Sequence, residues 1–327
     1  MNMKSICQAL GAAVIAISGA AHADDADRFR PAWPDTDFGR VSIDLAEVIS
    51  GGPPRDGIPS IDDPQFEPVS QSELADNMPV LGLEFSGEAR AYPLSILMWH
   101  EIVNDEIAGE PIAVTFCPLC NSGAAFLARI EGVEYEFGTS GLLRHSDMVM
   151  YDRQTDSWWQ QFTGEAIVGS MMGTELEWLP IRMESIGAFR ARNPDGAVLI
   201  PNNENERSYG QNPYVGYDGL DWPFLYRGEY DGPVPPLSRV VAVDDQAWPL
   251  DLIRDARRIE TGDLVISWEA GQASALDARD IAASDDIGNV TVQRQGVGGP
   301  EDVTYLVPFA FAFHAFHPEG VIHTEAN

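Results

Sequence analysis

Short apolar or alternating runs, bounded by glycine, proline, asparagine and aspartate, fill this chain from about residue 80 onward, and their spacing predicts strands more often than helices. Val80–Glu84 and Glu88–Tyr92 read as two strands joined at Ser86-Gly87, followed by a short helical stretch over Leu94–Ile102 that ends near Asn104-Asp105. Ile112–Phe116 is a compact, β-favouring run that leads into Cys117. Ala124–Ile130 and Val133–Phe137 flank Glu131-Gly132, a hairpin signal. Gly138-Thr139-Ser140-Gly141 reads as a turn, after which Met148–Asp152, Trp158–Phe162 and Ala166–Val168 continue in short strands. A helix over Ser185–Arg192 closes at Asn193-Pro194-Asp195-Gly196, and Leu237–Asp244, Arg257–Ile266, Val290–Arg294 and Val303–Leu306 supply a further set of strands.

The remaining stretches are less regular. Residues 24–50 form an N-terminal lead-in with Phe29, Trp33 and Phe38 as docking points, and a short helix or strand over Val41–Ile49 stops at Gly51-Gly52-Pro53-Pro54. Residues 201–236 interleave Tyr209, Tyr214, Tyr217, Trp222, Phe224, Tyr226 and Tyr230 with Asn, Gly and Pro, a loop suited to covering the core or walling a pocket. Ala273–Asp286 is acidic and alanine-rich, as an exposed helix or loop would be. No internal repeat and no clean linker emerges from this pattern. The expectation is a mainly β fold with a few short helices, a β-rich α+β arrangement, in a single large compact domain over 51–323 with a tail at 324–327.

Charge and targeting alter what is expected of the partners. Lys4, the apolar stretch from Ile6 to Ile17 and Ala21-His22-Ala23 form a secretory signal pattern over residues 1–23, with cleavage after Ala23 and loss of Cys7. That places the mature protein in the periplasm or outside the cell, without an integral membrane segment. The whole chain carries a formal charge of −31, and Lys4 is its only lysine. Such a field repels nucleic acid and keeps the protein soluble, leaving a small molecule or a metal ion as the expected partner. No phosphate-cradling glycine loop or nucleotide fingerprint is present, so no nucleotide cofactor is expected.

Candidate chemistry concentrates at Cys117-Pro118-Leu119-Cys120. Two cysteines at this spacing exchange with disulfides when one thiol is acidic and exposed, or ligate a borderline or soft metal. A thioredoxin-like context is not expected, because Asn121-Ser122-Gly123 leads into β-favouring residues rather than a helix. For zinc or copper, His100 and His145 would complete a four-ligand set with Cys117 and Cys120, with Met148, Met150 and the Met171-Met172 pair as softer alternatives. His314 and His317 read first as packing residues. Asp147, Asp152, Arg153 and Asp156, with Trp158, Trp159 and Gln160, form a polar and aromatic segment nearby that reads as an ion pair and core aromatics or as a ligand-binding surface.

The strings G-G-P-P-R-D-G-I-P at 51–59, A-Y-P-L at 91–94, W-H-E-I-V-N-D at 99–105, T-F-C-P-L-C at 115–120, F-G-T-S-G-L-L at 137–143, M-Y-D-R-Q-T at 150–155 and F-H-A-F-H-P-E at 313–319 together resemble the DUF3179 domain family of bacteria and archaea. The family pattern implies His100, Cys117, Cys120, Ser140, Asp152 and Arg153 as positions of interest, and implies no reaction. His145 and His314 depart from that pattern.

Three readings follow from the residues. One is an exported protein that binds zinc or copper through Cys117 and Cys120, for metal handling or redox. Another is a metal-free thiol-disulfide oxidoreductase or redox sensor, with Cys117, Cys120, His100, Asp152 and Arg153 as candidate catalytic residues. The last is a noncatalytic extracytoplasmic ligand-binding module with a structural disulfide.

Overall fold

The first alternating run folds as a hairpin, Pro79–Phe85 against Glu88–Pro93, in the computed structural model, which describes residues 25–296 and 298–326. The expected signal peptide, its cleavage point after Ala23 and Cys7 lie outside the described residues. Pro93 fixes the turn into the helix Leu94–His100, supplying a φ of −61° where the missing N–H costs nothing. The helix is shorter than its apolar run predicted. Glu101 leaves it with φ 58°, and Ile102–Ile107 is a strand paired with Glu110–Cys117. Ile112 to Cys117 is buried throughout, as a strand covered on both faces should be.

Two further differences from the expected pattern have clear causes. Ser122–Leu127 pairs back onto Glu110–Cys117, so Glu131-Gly132 closes only the small hairpin of Arg129–Ile130 and Val133–Glu134. Phe137–Arg144 is a strand, not a turn, and it carries a bulge between Thr139 and Leu142. Gly141 serves that bulge rather than a reversal, because a Cβ there would lie 2.1 Å from the Pro53 carbonyl oxygen. Ser140 donates to the Val149 carbonyl and accepts from Leu142 N at 2.9 Å, holding the bulge closed.

Five sheets of three to five strands form a five-bladed β-propeller with a few short helices, a single compact domain distinct from the thioredoxin fold. One sheet runs Val48–Ser50, Phe137–Arg144, Asp147–Asp152, Trp158–Gln160 and Glu165–Val168 in that spatial order. Another places Ser122–Leu127 and Glu110–Cys117 between Glu177–Leu179 and Ile102–Ile107. The lead-in packs firmly on the first sheet: Phe29, Trp33 and Phe38 ring the buried Trp158 at centroid distances of 5.0, 5.5 and 5.4 Å. No helix among the described residues is long and apolar enough to cross a membrane.

An internal repeat that the linear pattern did not reveal is evident in three dimensions. Val80 pairs with Pro93 and Val240 with Pro249; each hairpin is followed by a seven-residue helix, Leu94–His100 or Leu250–Ala256. A positive-φ residue ends each helix, Glu101 at 58° and Arg257 at 64°. A second hairpin then begins, with Ile102 opposite Thr115 and Arg258 opposite Ser267. The Phe116 N–H donates to the Glu101 carbonyl at 2.8 Å, as the Trp268 N–H does to that of Arg257 at 3.0 Å. Different hairpin lengths hide the correspondence, leaving Ala-Tyr-Pro-Leu at 91–94 and Ala-Trp-Pro-Leu at 247–250 as its sequence trace.

Candidate metal centre

The strand Glu110–Cys117 ends in a tight turn. Asn121 N–H donates to the Pro118 carbonyl at 3.3 Å, and Asn121 itself takes φ 55°, a conformation asparagine tolerates better than most side chains. The turn folds Cys120 back on Cys117, with their sulfurs 3.3 Å apart as free, buried thiols. Phe309 N–H donates to the Cys120 carbonyl at 2.8 Å and Asn121 Nδ2 to that of Val307 at 2.7 Å, which fastens the turn to the C-terminal segment.

A neighbouring hairpin completes the cluster. His145 and Ser146, at φ 53° and 64°, form the two-residue turn between Phe137–Arg144 and Asp147–Asp152. That turn brings the Ser146 carbonyl to 3.4 Å from Cys120 Sγ and Asp147 Oδ1 to 3.0 Å from the same sulfur. The other Asp147 oxygen accepts from Gln160 Nε2 at 2.6 Å and from Phe162 N–H at 2.9 Å. Those donors orient the carboxylate towards the sulfurs, the role outer partners play around metal ligands. Ligand atoms of Cys117, Cys120 and Asp147 all lie within 4.8 Å of one another, and all three residues are buried. The cluster could coordinate a metal ion.

The titratable groups of the site are all acids, and burial makes each of them hold its proton more tightly. Burial pushes the Asp147 carboxyl up to about 6, against the opposing hydrogen bonds from Cys120, Gln160 and Phe162. Burial, with Asp147 as the further charge, pushes Glu101 up to about 8. Both thiols are raised, first by burial, and the charges acting on Cys117 include Asp147 and Glu101. Neutral thiols in such surroundings are poor nucleophiles. A bound cation would reverse that preference, since metal ligation proceeds through thiolate and carboxylate.

The aromatic loop covers this centre. Tyr217 OH donates to the Leu119 carbonyl at 2.8 Å, Ser146 Oγ donates to the Phe224 carbonyl at 2.6 Å, and Tyr209 OH lies 2.8 Å from His100 Nε2. Segment 201–236 is thus pinned to the cysteine turn, the hairpin turn and the helix end.

The sequence candidates fall in distinct places. Cys117 and Cys120 meet, whereas His100 is held by the Pro59 carbonyl at 2.8 Å from Nδ1 and by Tyr209 from Nε2. His145 faces a separate cavity of about 310 Å³ with Glu47, Leu225 and Arg227, its Nε2 3.5 Å from Glu47 Oε2. Neither histidine joins the three-residue cluster. Asp152 accepts from Thr155 N–H at 2.6 Å and Trp159 Nε1 at 2.8 Å, fastening its own turn. Arg153 reaches Ser60 at 2.8 Å and Asp62 at 3.0 Å. His314 lies against Tyr230, and His317 stacks on Phe313 with ring centroids 5.0 Å apart. Met148 and Met150 are buried strand residues, and Met171 accepts from Tyr135 OH at 3.6 Å.

Asp147 is the cluster member that motif reading did not select. Its available signal was a carboxylate opening the otherwise apolar run Met148-Val149-Met150-Tyr151. No curated protein and no solved structure matches the chain. A family model described as "Protein of unknown function (DUF3179)" matches residues 55–320.

Proposed function

Starting from a chain that belongs to the DUF3179 family, we propose that this protein is an exported metal-binding protein that holds zinc, in preference to copper, through Cys117, Cys120 and Asp147. The observation that carries this reading is the convergence of two thiols and one oriented carboxylate within 4.8 Å in a buried, acidic setting. Zinc accepts sulfur and oxygen donors together, whereas monovalent copper is satisfied by soft sulfur alone. His100 is a positioning residue in this scheme: it ties the helix end to the cover through Pro59 and Tyr209. Export rests on the pattern of Lys4, the apolar Ile6 to Ile17 stretch and the small residues up to Ala23.

A second reading, a dithiol that cycles to a disulfide without metal, is favoured by the 3.3 Å sulfur separation. Elemental and thiol analysis of protein purified without added metal or chelator distinguishes the two. The metal reading expects close to one zinc per chain, absent from the Cys117→Ser, Cys120→Ser double variant. Two titratable thiols or a reducible disulfide, with no metal taken up on zinc addition, would overturn it.

A further inference from the structure

Glu101 is nine-tenths buried, at 9% exposure, and its carboxyl has no hydrogen-bond partner among the described residues. Its main chain is fixed opposite the cysteine strand, since the Phe116 N–H donates to the Glu101 carbonyl at 2.8 Å and Cys117 follows directly. The same main-chain arrangement recurs at Arg257, where the exposed side chain lies instead over the Trp268 ring, 4.4 Å from its centroid. The unusual φ therefore belongs to the repeated scaffold. The buried glutamate with its unpartnered carboxyl belongs only to the copy that carries the cysteines.

Burial disfavours the ionised form of this carboxyl, and no cation is among the charges acting on it: it interacts with Asp147, and acts in turn on Cys117 and Tyr214. Cys117, Cys120 and Asp147 supply three donors, while closed structural zinc sites take four. Both ring nitrogens of His100, the adjacent residue, are already engaged. Glu101 lies outside the three-residue cluster, and a turn of its side chain towards the cluster would break no side-chain hydrogen bond among the described residues.

We propose that Glu101 is the fourth ligand of the metal centre, completing a two-sulfur, two-oxygen set for a divalent ion of borderline softness. This inference rests on the metal reading above and adds to it a residue outside the three-residue cluster.

Titration with zinc alone against a chromophoric chelator, and with cobalt(II) as an optical probe, tests it on the wild-type chain and on Glu101→Gln and Glu101→His. Glu101→Gln is expected to keep one ion per chain and the thiolate-to-cobalt absorption while binding zinc at least about tenfold more weakly. Its cobalt ligand-field bands should change in position and intensity, and Glu101→His, which restores a donor, should recover most of the affinity. Arg257→Gln serves as the matched control for the scaffold, with circular dichroism to confirm folding. Wild-type affinity and an unchanged cobalt spectrum in folded Glu101→Gln would overturn the assignment and leave the three-ligand centre standing. Failure of the wild type to take up either ion would overturn both.

Discussion

Two stretches of this chain, 80–122 and 240–289, share a hairpin, a seven-residue helix opened by Pro-Leu, a positive-φ exit and a second hairpin, yet only one carries the cysteine pair. In the first, Cys117 pairs with Ser122 across four intervening residues; in the second, Glu269 pairs with Asn289 across a long excursion that begins at Ala270. At the helix exit, Glu101 is buried where Arg257 is exposed. The scaffold thus tolerates either outcome, and the two copies differ in the residue at the helix exit and in the connection that follows the strand. That connection is short in the first copy, which is what allows Cys120 to return to Cys117. It is long in the second, where Asp286 accepts from Gly271 N–H at 2.9 Å and Gln272 N–H at 3.1 Å to close its own loop.

The largest expected effect tests whether the two copies are energetic equivalents. Phe116 and Trp268 occupy matching positions at 0% and 6% exposure, so Phe116→Ala and Trp268→Ala should each lower unfolding stability by about 3–5 kcal/mol in chemical denaturation. A near-neutral result for either would break the correspondence.

Next comes the pH dependence, to which Glu101 of the first copy and Asp147 of the neighbouring hairpin contribute and the matching residue of the second copy, Arg257, does not. Asp147 and Glu101 titrate higher in the folded protein than ordinary carboxyls, at about 6 and about 8, so folding binds their protons more tightly. Their contribution is fully present below about pH 4 and is lost as pH rises through those values. Metal-free protein should lose a few kcal/mol of stability between about pH 4 and 8 from these groups. Asp147→Asn should reduce the slope only below about pH 6, whereas Glu101→Gln should reduce it up to about pH 8, as followed by urea midpoints. An unchanged slope in both variants would show that other groups control it.

The smallest effect sharpens the comparison from the other side. Arg257→Glu places the first copy's residue type in the second and removes only the stack over Trp268. It should cost about 0.5–1 kcal/mol and leave zinc affinity as in the wild type. A measurable loss of zinc would mean that the second copy contributes to the centre.

Alternation and turn chemistry made part of this molecule readable. Ser86-Gly87 and the flanking runs located the first hairpin, Ser185 caps its helix by accepting from Ala188 N–H at 3.2 Å, and the C-P-L-C motif located two of the three clustered residues. Asp147 was harder, because its place beside the cysteines depends on a different sheet and on the bulged strand Phe137–Arg144. Gly138 and Gly141 imitate turn residues there, while the close approach of Pro53 is a contact separated by most of a hundred residues. The repeat escaped for a related reason: strand pairing conserves register, and register survives changes in hairpin length that erase periodicity along the chain. His100 illustrates the converse, since a histidine beside a cysteine motif invites a ligand role but here both nitrogens bind a main-chain carbonyl and a tyrosine.

The cover formed by 201–236 has a consequence for time rather than affinity. Its three fastenings, from Tyr209, Tyr217 and the Phe224 carbonyl, reach the helix end, the cysteine turn and the neighbouring hairpin turn. An ion held at the proposed centre would lie under a segment whose release requires several of these bonds to open together, a local opening event whose frequency is a property of the loop. Under the proposed metal reading, residence time would follow how often the cover lifts, so release would be slow even where the equilibrium grip is modest.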